Sequence, residues 1–507
     1  MATLVERYAD RILGVLSCYD RVIVRGGIRG FDYAQAMESY LRWRKIPLFD
    51  FPKFAKPYRD AIRDNAERLA RENGIEVQFI RHHQVRKEDI VARILEKRGD
   101  APGLVAILSA LETCESYEAR YDKKTGRTSL RPDRAKCIHY YFYFIDEQLG
   151  LGFMRISTWC PFPAQAYVNG HNLLAAKLRA AGIGYRMLDN AFLHIDDWQA
   201  AQKLADESDS RVLHEKLDHY ARLFCPPIES LGVAYQWNLA QVEYATDIVF
   251  RRQHDLGPIY DTLVRTAVHA VKPAQIATFL GRKHRLQRNN TEEIGNDFDT
   301  RIHGTRIKHR MGPTSIKAYD KAGIILRIET TTNNPKWFKH YRTVVHRDGT
   351  RSHELARLKK SIYSLHDLRL IAVAANRRYL EFLSSLDDPT VAIEAVTRVS
   401  KTVEQAGHRY PGFNFFSDQD VRLFEIILRG AHTIQGLRNA HIREHLPDKS
   451  ASQVSRMLRR LRCHGLVKKI GRTYKYYVTA AGRSVMTTGL KLKTLVLIPE
   501  LARAMAA

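Results

Sequence analysis

The sequence has few acidic residues for its number of basic ones. Across 507 residues, 81 lysines and arginines stand against only 55 aspartates and glutamates, which gives a formal net charge of +26 and an isoelectric point near 9.8. A net charge this far from zero destabilises a compact chain through self-repulsion, and a polyanion relieves that repulsion. The phosphate backbone of a nucleic acid is the obvious polyanion. We therefore expect nucleic-acid binding.

Paired cysteines and long apolar runs are also missing. None of the six cysteines belongs to a Cys-x-x-Cys pair, which argues against a zinc site and favours reduced thiols in a bacterial-type cytoplasm. No apolar stretch approaches the roughly 20 residues that a membrane-spanning helix needs, and the opening residues MATLVER lack the apolar core of a secretory signal. We expect a cytoplasmic protein with no membrane partner.

The order of helix and strand patterns predicts an α+β multidomain chain. Residues 1–200, which include the aromatic strand Cys137–Asp146, predict a mixed α/β sheet domain. Residues 201–280 predict a helical connector. Residues 281–405 predict a basic central α/β segment, a β-hairpin followed by helices. Residues 417–495 predict a separate C-terminal domain.

The C-terminal domain has the sequence pattern of a winged helix. A capping pattern at Ser417 begins one helix, a short helix lies near 439–446, and Ser450 caps a third helix that Gly465 ends. Two short strands joined by a tight turn follow. The order helix–helix–helix–hairpin is that of a winged helix, whose third helix enters the DNA major groove. Residues 417–507 contain 17 basic and 6 acidic side chains, a net charge of +11.

Candidate nucleic-acid contacts lie on the third helix and on the hairpin. Glutamine can read adenine, arginine can read guanine or phosphate, and hairpin lysines can hold phosphates. The segment at about 420–490, carried by SQVSRMLRRLRCHGLVKKIGRTYKYYVT, resembles the MarR-like winged-helix family. The candidate contacts in this domain are Gln453, Arg456, Arg459, Arg460, Lys468, Lys469, Arg472 and Lys475.

The central segment GTRIKHRMGPTSIKAYDKAGIILRIETTT, residues 304–332, contains K-x-Y-D-K followed by R-x-E. Its alternation predicts two strands joined by a turn. One interpretation is a hairpin whose cross-strand charge pairs each contribute about 0.2–1 kcal/mol. The other is a polar cluster around Tyr319 and Glu329 on one sheet face. In that cluster Lys321 and Arg327 would hold a phosphate, and Glu329 would hold a metal or orient a base.

This segment resembles the Y-x-K…R-x-E segment of rolling-circle replication initiators of plasmids and filamentous phages. Those proteins nick one DNA strand with a tyrosine nucleophile and a divalent metal. The resemblance therefore implies catalytic roles for Tyr319 and Glu329 and a need for Mg²⁺, with no organic cofactor. The histidine–hydrophobic–histidine metal motif of many initiators does not occur in the sequence, and its nearest counterpart is His194-Ile195-Asp196. The candidate nucleic-acid contacts of the segment are Arg306, Lys308, Arg310, Lys317, Lys321 and Arg327.

Four carboxylates at or near predicted strands of the N-terminal region are further metal candidates. Clustered strand carboxylates can hold two Mg²⁺ ions and cleave a phosphodiester. Acidic residues at strand ends are also common without a metal, so both interpretations stay open. The candidates are Asp20, Glu112, Asp146 and Asp189.

Together these features predict a DNA-binding protein of a mobile or replicating element, a replication initiator or transposase with metal-dependent nicking endonuclease activity. One alternative is an RNA-binding component of a ribonucleoprotein that pairs a structured RNA with DNA. Another is a non-enzymatic winged-helix transcription regulator, and a third is a purely structural DNA-bridging protein that binds without sequence preference. The whole chain also resembles a widespread family of bacterial proteins that is sometimes grouped with MarR-like regulators on its tail alone.

Overall fold

The computed structural model divides the chain into two compact units. We call Leu16–Tyr244 with Thr331–Leu370 the N-terminal unit, and Met1–Val15 with Ala245–Thr330 and Ile371–Ala507 the C-terminal unit. Each unit is thus assembled from segments that are distant in sequence. The structure describes residues 3–82, 84–207, 209–271, 273–282, 294–301, 304–386, 396–428, 436–471, 473–491 and 493.

The N-terminal unit is built on a mixed sheet. Its strands are β1 (Ile12–Ile28, from Leu16 onward), β2 (Val77–Phe79), β3 (Gly103–Asp122), β4 (Arg127–Asp146), β5 (Gly150–Ser157), β6 (Ala164–Asn169) and the first part of β9 (Tyr235–Phe250), beside a separate pair of β7 (Tyr185–Met187) and β8 (Phe192–Ile195). They pair in the order β9-β1-β6-β5-β4-β3-β2. The β2–β3 pair is parallel, and the pairs from β3 through β6 to β1 are antiparallel.

Helices cover both faces of this sheet. They are α2 (Ala34–Trp43), α3 (Phe51–Glu72), α4 (Lys87–Arg98), α5 (Gly170–Ala180), α6 (Trp198–Asp206), α7 (Ser210–Phe224) and α8 (Pro227–Leu231), while the short α1 (Leu4–Arg7) belongs to the C-terminal unit. Ile90 of α4 joins the core on the Tyr141 face. On the opposite face Phe224 of α7 stacks on Phe142 with ring centroids 4.3 Å apart. Coverage of both faces explains why the end of β4 is almost continuously apolar, as its sequence predicted.

A two-stranded ribbon also belongs to the N-terminal unit. Strands β14 (Lys339–Val345) and β15 (Arg351–Arg357) pair antiparallel with each other in a sheet of their own. Most of their side chains are exposed. The side chains of the ribbon are therefore more exposed than those of the large sheet.

The C-terminal unit contains a second set of paired strands. They are β10 (Ile294–Arg301), β11 (Gly304–Met311), β12 (Thr314–Lys321), β13 (Ile325–Thr332, up to Thr330) and the last part of β9. The pairing order is β10-β11-β12-β13-β9. Strands β12 and β13 form the hairpin that alternation predicted for the central segment. The helices beside them are α9 (Gln253–Ala270), α10 (Pro273–Phe279) and α11 (Leu365–Leu386, from Ile371 onward).

The end of the C-terminal unit shows the predicted order of three helices, a hairpin and a last helix. These elements are α12 (Asp418–Ile427), α13 (Asn439–Arg443), α14 (Ala451–Cys463), β18 (Val467–Lys469), β19 (Tyr476–Val478) and α15 (Ala480–Lys491), preceded by the small pair β16 (Val403–Gln405) and β17 (His408–Tyr410). Ser450 and Gln453 form a complete capping box at the start of α14. Leu423, Val454 and Leu461 share one apolar core.

Residues 201–280 differ from the predicted helical connector. They contain the 16-residue strand β9 between helices α8 and α9. Its sequence, YQWNLAQVEYATDIVF, contains eight β-branched or aromatic residues among sixteen, a composition that favours a strand. None of the predicted domain boundaries coincides with a boundary between the two units. Within the described ranges, no helix is both long and apolar enough to cross a membrane.

Candidate functional site

A tyrosine, a lysine and a glutamate meet on the β12–β13 hairpin of the C-terminal unit. The hydroxyl of Tyr319 donates to Oε2 of Glu329 at 2.8 Å, and Nζ of Lys317 donates to Oε1 at 2.6 Å. The Glu329 side chain is only 3% exposed, whereas Tyr319 and Lys317 are half-buried. The carboxylate is therefore held between a cation and a phenol that solvent still reaches.

Basic residues of β11 lie on the same face as Tyr319. Lys308 is the direct antiparallel partner of Lys317, and directly opposite residues point to one side of a sheet. Since side chains alternate along a strand, Arg306 and Arg310 share that side. Arg310 is exposed, and Arg306 and Lys308 are half-buried. By the same alternation Lys321 lies on the Tyr319 side of β12, where it is half-buried.

Arg327 is placed differently from the sequence prediction. Its guanidinium donates from Nε and Nη2 to the two oxygens of Asp247 on β9, both at 2.6 Å. The Arg327 side chain is 0% exposed and that of Asp247 is 2% exposed. A bidentate pair at this depth is a structural ion pair, because the guanidinium has no access to an incoming phosphate. The prediction that Arg327 binds nucleic acid does not fit this geometry.

The opposite side of the β11–β12 pair is packed by helices. His309 is fully buried, and its Nε2 lies 2.9 Å from the hydroxyl of Tyr379 on α11. Burial lowers the pKa of His309 to about 4. The hydroxyl of Tyr260 on α9 donates to the carbonyl oxygen of Ala318 at 3.4 Å. This packing fixes the strands that present Tyr319 and Lys317.

The N-terminal unit contains its own polar centre at Asp20 on β1. Oδ1 of Asp20 accepts a hydrogen bond from Nδ2 of Asn190 at 2.6 Å and lies 3.1 Å from Nδ1 of His171. His171 follows Gly170 in the first turn of α5. A Cβ atom on Gly170 would lie 1.9 Å from the carbonyl oxygen of Tyr19. Glycine therefore lets the start of α5 approach β1 closely enough to bring His171 to Asp20.

Glu243 of β9 completes this centre within the N-terminal unit. One carboxylate oxygen of Glu243 and one of Asp20 lie within 4.8 Å of each other. Both residues are buried, at 8% and 5% exposure. Nε of Arg21 is 3.7 Å from Glu243, and Nε2 of Gln241 donates to it at 3.2 Å. Two adjacent carboxylates offer the hard oxygen ligands that Mg²⁺ prefers.

Two of the other predicted metal ligands have cationic partners of their own. Glu112 accepts from Tyr141 and Arg155, both at 2.6 Å. Burial acts to raise the pKa of Glu112, but the hydrogen bond from Tyr141 and the charge of Arg155 outweigh burial and lower that pKa. Asp146 accepts from Lys216 at 2.9 Å and from Tyr220 at 2.7 Å. Burial acts to raise the pKa of Asp146, but the hydrogen bonds from Lys216 and Tyr220 outweigh it and lower that pKa.

The four predicted carboxylates are not gathered into one site. Asp189 is exposed in the turn between β7 and β8, where its φ is 53°. Among the side chains that the structure describes, Glu112, Asp146 and Asp189 belong to no group of three that could share a metal ion. Asp20 lies beside a further carboxylate of its unit, that of Glu243. The sequence could not show this, because the four residues are up to 169 positions apart.

Some of the predicted nucleic-acid contacts in the C-terminal helices and hairpin are exposed, and others are bonded to residues of the protein itself. Arg456 and Arg459 of α14 and Lys468 and Lys469 of β18 are exposed, and Lys475 is half-buried. Within the described part of the chain, no carboxylate pairs with Arg456 or Arg459. The Gln453 side chain accepts from the backbone N of Ser450 at 2.7 Å as part of the helix cap. Arg472 lies outside the described residues.

Arg460 is engaged within the C-terminal unit. It donates to both oxygens of Asp420, at 2.8 and 3.0 Å, and to the carbonyl oxygens of Pro411 and Gly412. Its guanidinium also lies 3.8 Å from the ring centroid of Phe413. With so many partners, Arg460 joins α14 to the preceding chain, and the prediction that it binds nucleic acid does not fit this position.

Sequence reasoning missed two carboxylates of β9, Glu243 and Asp247. Both lie in YQWNLAQVEYATDIVF, whose second half is buried on both faces. A carboxylate in a strand buried on both faces requires a cation, a metal or strong donors, since an isolated buried charge is very costly. That requirement was the available signal, and it became visible only once 235–250 was known to be a strand. Comparisons with family models, with curated proteins and with solved structures found no match for this chain.

Proposed function

We propose that this protein binds DNA and nicks one strand through Tyr319. The observation that carries the proposal is the 2.8 Å hydrogen bond from the Tyr319 hydroxyl to the buried carboxylate of Glu329. A tyrosine is a weak nucleophile until an adjacent base removes its proton. Glu329 is in position to do so, and Tyr319 stays partly accessible.

The proposed reaction is a transesterification. Glu329 accepts the phenolic proton of Tyr319, and the phenolate oxygen attacks the scissile phosphorus. A bond forms between phosphorus and the tyrosine oxygen while the bond between phosphorus and the 3′ oxygen breaks. That oxygen takes a proton from solvent and leaves as a 3′ hydroxyl, and the 5′ phosphate stays on the tyrosine. The resemblance to rolling-circle initiators supports this polarity.

The cations beside Tyr319 have two roles in this proposal. The Lys317 ammonium donates to Oε1 of Glu329 at 2.6 Å, which holds the carboxylate in place beside the Tyr319 hydroxyl. Lys308 and Arg310, on the same sheet face, position the phosphate backbone. Arg327 instead stabilises the sheet through Asp247.

Asp20 and Glu243 are the residues of the N-terminal unit that fit a divalent cation. Their two buried carboxylates lie within 4.8 Å of each other and supply oxygen donors. A bound Mg²⁺ would supply charge stabilisation for a phosphate. In Mg²⁺-binding titrations of the full chain, we expect Asp20→Asn and Glu243→Gln each to weaken the binding of Mg²⁺.

The C-terminal helices would bind duplex DNA as a winged helix. The order of elements over α12 to α15, the complete cap of α14 and the exposed Arg456 and Arg459 support this role. The same arrangement gives α14 as the groove-reading helix and the β18–β19 hairpin as a phosphate contact. Arg460 is left out of this surface because Asp420 holds it.

A covalent-capture experiment tests the nucleophile without knowledge of the target sequence. The full chain is incubated with Mg²⁺ and a random library of single-stranded 40-mer DNA, boiled in detergent, and the DNA that stays on the protein is counted and sequenced. We expect adducts with the wild type, none with Tyr319→Phe, and a rate about 10²- to 10⁴-fold lower with Glu329→Gln. Tyr121→Phe is the matched control, since Tyr121 is an exposed tyrosine (57%) of another hairpin.

Three results would count against the assignment. Adducts with Tyr319→Phe at the wild-type rate would mean that another residue is the nucleophile. No adduct with the wild type, together with sequence-specific duplex binding, would favour the non-enzymatic regulator. Retention of one discrete RNA through purification would favour the ribonucleoprotein alternative.

A further inference from the structure

The proposed reaction at Tyr319 assigns no role to the charged residues of the β14–β15 ribbon. Residues 339–357 contain five lysines and arginines and two acidic residues. The strands pair only with each other. Four directly opposite pairs of residues lie on one face of the ribbon. From its base to the turn at its tip they are Lys339 with Arg357, Tyr341 with Leu355, Thr343 with His353, and Val345 with Arg351.

The apolar side chains on this face are unusually open to solvent. Tyr341 is 62% exposed, Val345 63% and Leu355 51%. The ring of Tyr341 lies almost parallel to that of His353, with centroids 6.2 Å apart and an interplanar angle of 22°. The face therefore presents two near-parallel aromatic rings. Contiguous exposed apolar side chains of this kind commonly mark an interaction site.

The charges of the ribbon are segregated. The acidic Glu354 lies opposite Arg342 on the other face. Asp348 sits in the turn, where it accepts from the backbone and the hydroxyl of Thr350 at 3.0 and 2.7 Å. The Tyr341 face thus carries Lys339, Arg351 and Arg357 and no carboxylate. That charge complements a polyanion.

We propose that the Tyr341 face of the ribbon is a binding site for single-stranded DNA. One base stacks on Tyr341, and the flanking phosphates lie on Lys339 and Arg357 at the base and on Arg351 at the tip. The seven-residue strands extend over roughly 20 Å at about 3.3 Å per residue, enough for several nucleotides. Stacking platforms flanked by cations are a general way to hold single strands.

A single strand fits this face better than a duplex groove does. In a duplex the base faces are already stacked on each other, and groove reading relies on donors and acceptors aimed at base edges. The middle of this face instead offers an aromatic ring, Leu355 and Val345. The site does not depend on the chemistry of Tyr319, because binding requires no strand cleavage.

The test measures binding by the full chain with EDTA present, so that nicking does not contribute. The probe is a fluorescein-labelled dT20 in the presence of excess unlabelled duplex, which occupies the surfaces that bind duplex DNA. We expect Tyr341→Ala to weaken binding about 5- to 150-fold, and Tyr341→Phe to stay within about twofold of wild type, because the aromatic face is retained. Tyr121→Ala, an equally exposed tyrosine on another hairpin, should bind as wild type.

A second measurement reports stacking directly. A single 2-aminopurine in the oligonucleotide should change its emission on binding to wild type and to Tyr341→Phe, and not on binding to Tyr341→Ala. Equal dT20 binding by wild type and Tyr341→Ala would overturn the proposal, as would equal losses in Tyr341→Phe and Tyr341→Ala. Preference for U20 over dT20 by tenfold or more would replace DNA with RNA as the ligand. Failure of the Tyr319 capture experiment would leave these outcomes unaffected, so the two proposals fail separately.

Discussion

The sheet around Tyr319 and the β14–β15 ribbon both alternate cations with aromatic side chains along antiparallel strands. In the sheet, Lys317 is bonded to the buried Glu329 and Arg327 to the buried Asp247. In the ribbon, Arg351 and Arg357 are exposed, and the aromatic beside them, Tyr341, is 62% exposed. The sheet has one face packed by helices, whereas the cations of the ribbon that flank Tyr341 lie on an exposed face. The same pattern thus yields structural ion pairs in one place and an open cationic surface in the other.

The largest expected effect of this difference is on stability at Arg327. Replacement by alanine leaves Asp247 as a buried charge without its bidentate partner, and loss of one partner of such a pair costs about 3–5 kcal/mol. We expect Arg327→Ala to lower the free energy of urea unfolding by this amount. Arg310→Ala, a substitution of an exposed cation on β11, should change it by less than about 0.5 kcal/mol.

Equal stability of Arg327→Ala and wild type would mean that Asp247 is not buried in solution. The double variant Arg327→Leu with Asp247→Leu separates the two causes, because it removes the unpaired charge together with its partner. It should be more stable than Arg327→Ala, since replacing both partners of a buried pair by apolar groups is often neutral.

Local features of this fold could be predicted from the sequence. The β12–β13 hairpin follows from alternation, and the C-terminal helices follow from the capping box at Ser450 and the glycine at 465, which has a φ of 70°. The hydrogen bond between Tyr319 and Glu329 is local as well, because the two residues are on neighbouring strands ten positions apart. Short-range chemistry of this kind is encoded within one supersecondary element.

Long-range partnerships could not be predicted. Arg327 was expected to hold a phosphate, but its partner Asp247 is 80 positions away, on a strand within residues 201–280, which were predicted to be a helical connector. Asp20 was a metal candidate, yet its neighbours His171, Asn190 and Glu243 come from three other elements of the N-terminal unit or the turns between them. A single sequence gives the residue types of such a centre and not which of them meet.

A second expectation concerns His309, on the packed side of the sheet. Burial holds its pKa at about 4, below the unperturbed value of about 6.5. Between these values the unfolded chain binds a proton that the folded chain does not, so stability falls as pH drops from 6.5 to 4. The full difference corresponds to about 3 kcal/mol. Urea unfolding of wild type and His309→Gln at pH 7, 6 and 5 should show wild type losing stability relative to the variant as pH falls. Parallel pH curves would contradict the burial of a neutral imidazole.

Helix α14 also contains both kinds of cation, one bonded within the protein and one exposed. Arg460 bonds Asp420 and two carbonyl oxygens and is 21% exposed, whereas Arg459 is exposed. Charge-assisted hydrogen bonds contribute about 1.5–3 kcal/mol. We expect Arg460→Ala to lower unfolding stability by an amount in that range, and Arg459→Ala to change it by less than about 0.5 kcal/mol. For duplex DNA at moderate salt, Arg459→Ala should weaken the binding affinity more than Arg460→Ala does, provided that both variants remain folded. A larger stability loss in Arg459→Ala would mean that this face of α14 is covered.

The smallest expected change in stability is at Arg351, at the tip of the ribbon. Because the side chain is exposed, Arg351→Ala should leave the free energy of unfolding within about 0.5 kcal/mol of wild type. The same substitution removes one phosphate contact, so the salt dependence of dT20 affinity should become shallower by about 0.7 in log–log slope. Lys123→Ala, which removes a cation from the exposed β3–β4 turn, is the matched control and should leave that slope unchanged. An unchanged slope for Arg351→Ala would remove the tip from the proposed binding face, while a large loss of stability would show that the Tyr341 face is packed in solution. A binding role for Arg351 requires both results: the variant is as stable as wild type, and its dT20 affinity depends less steeply on salt.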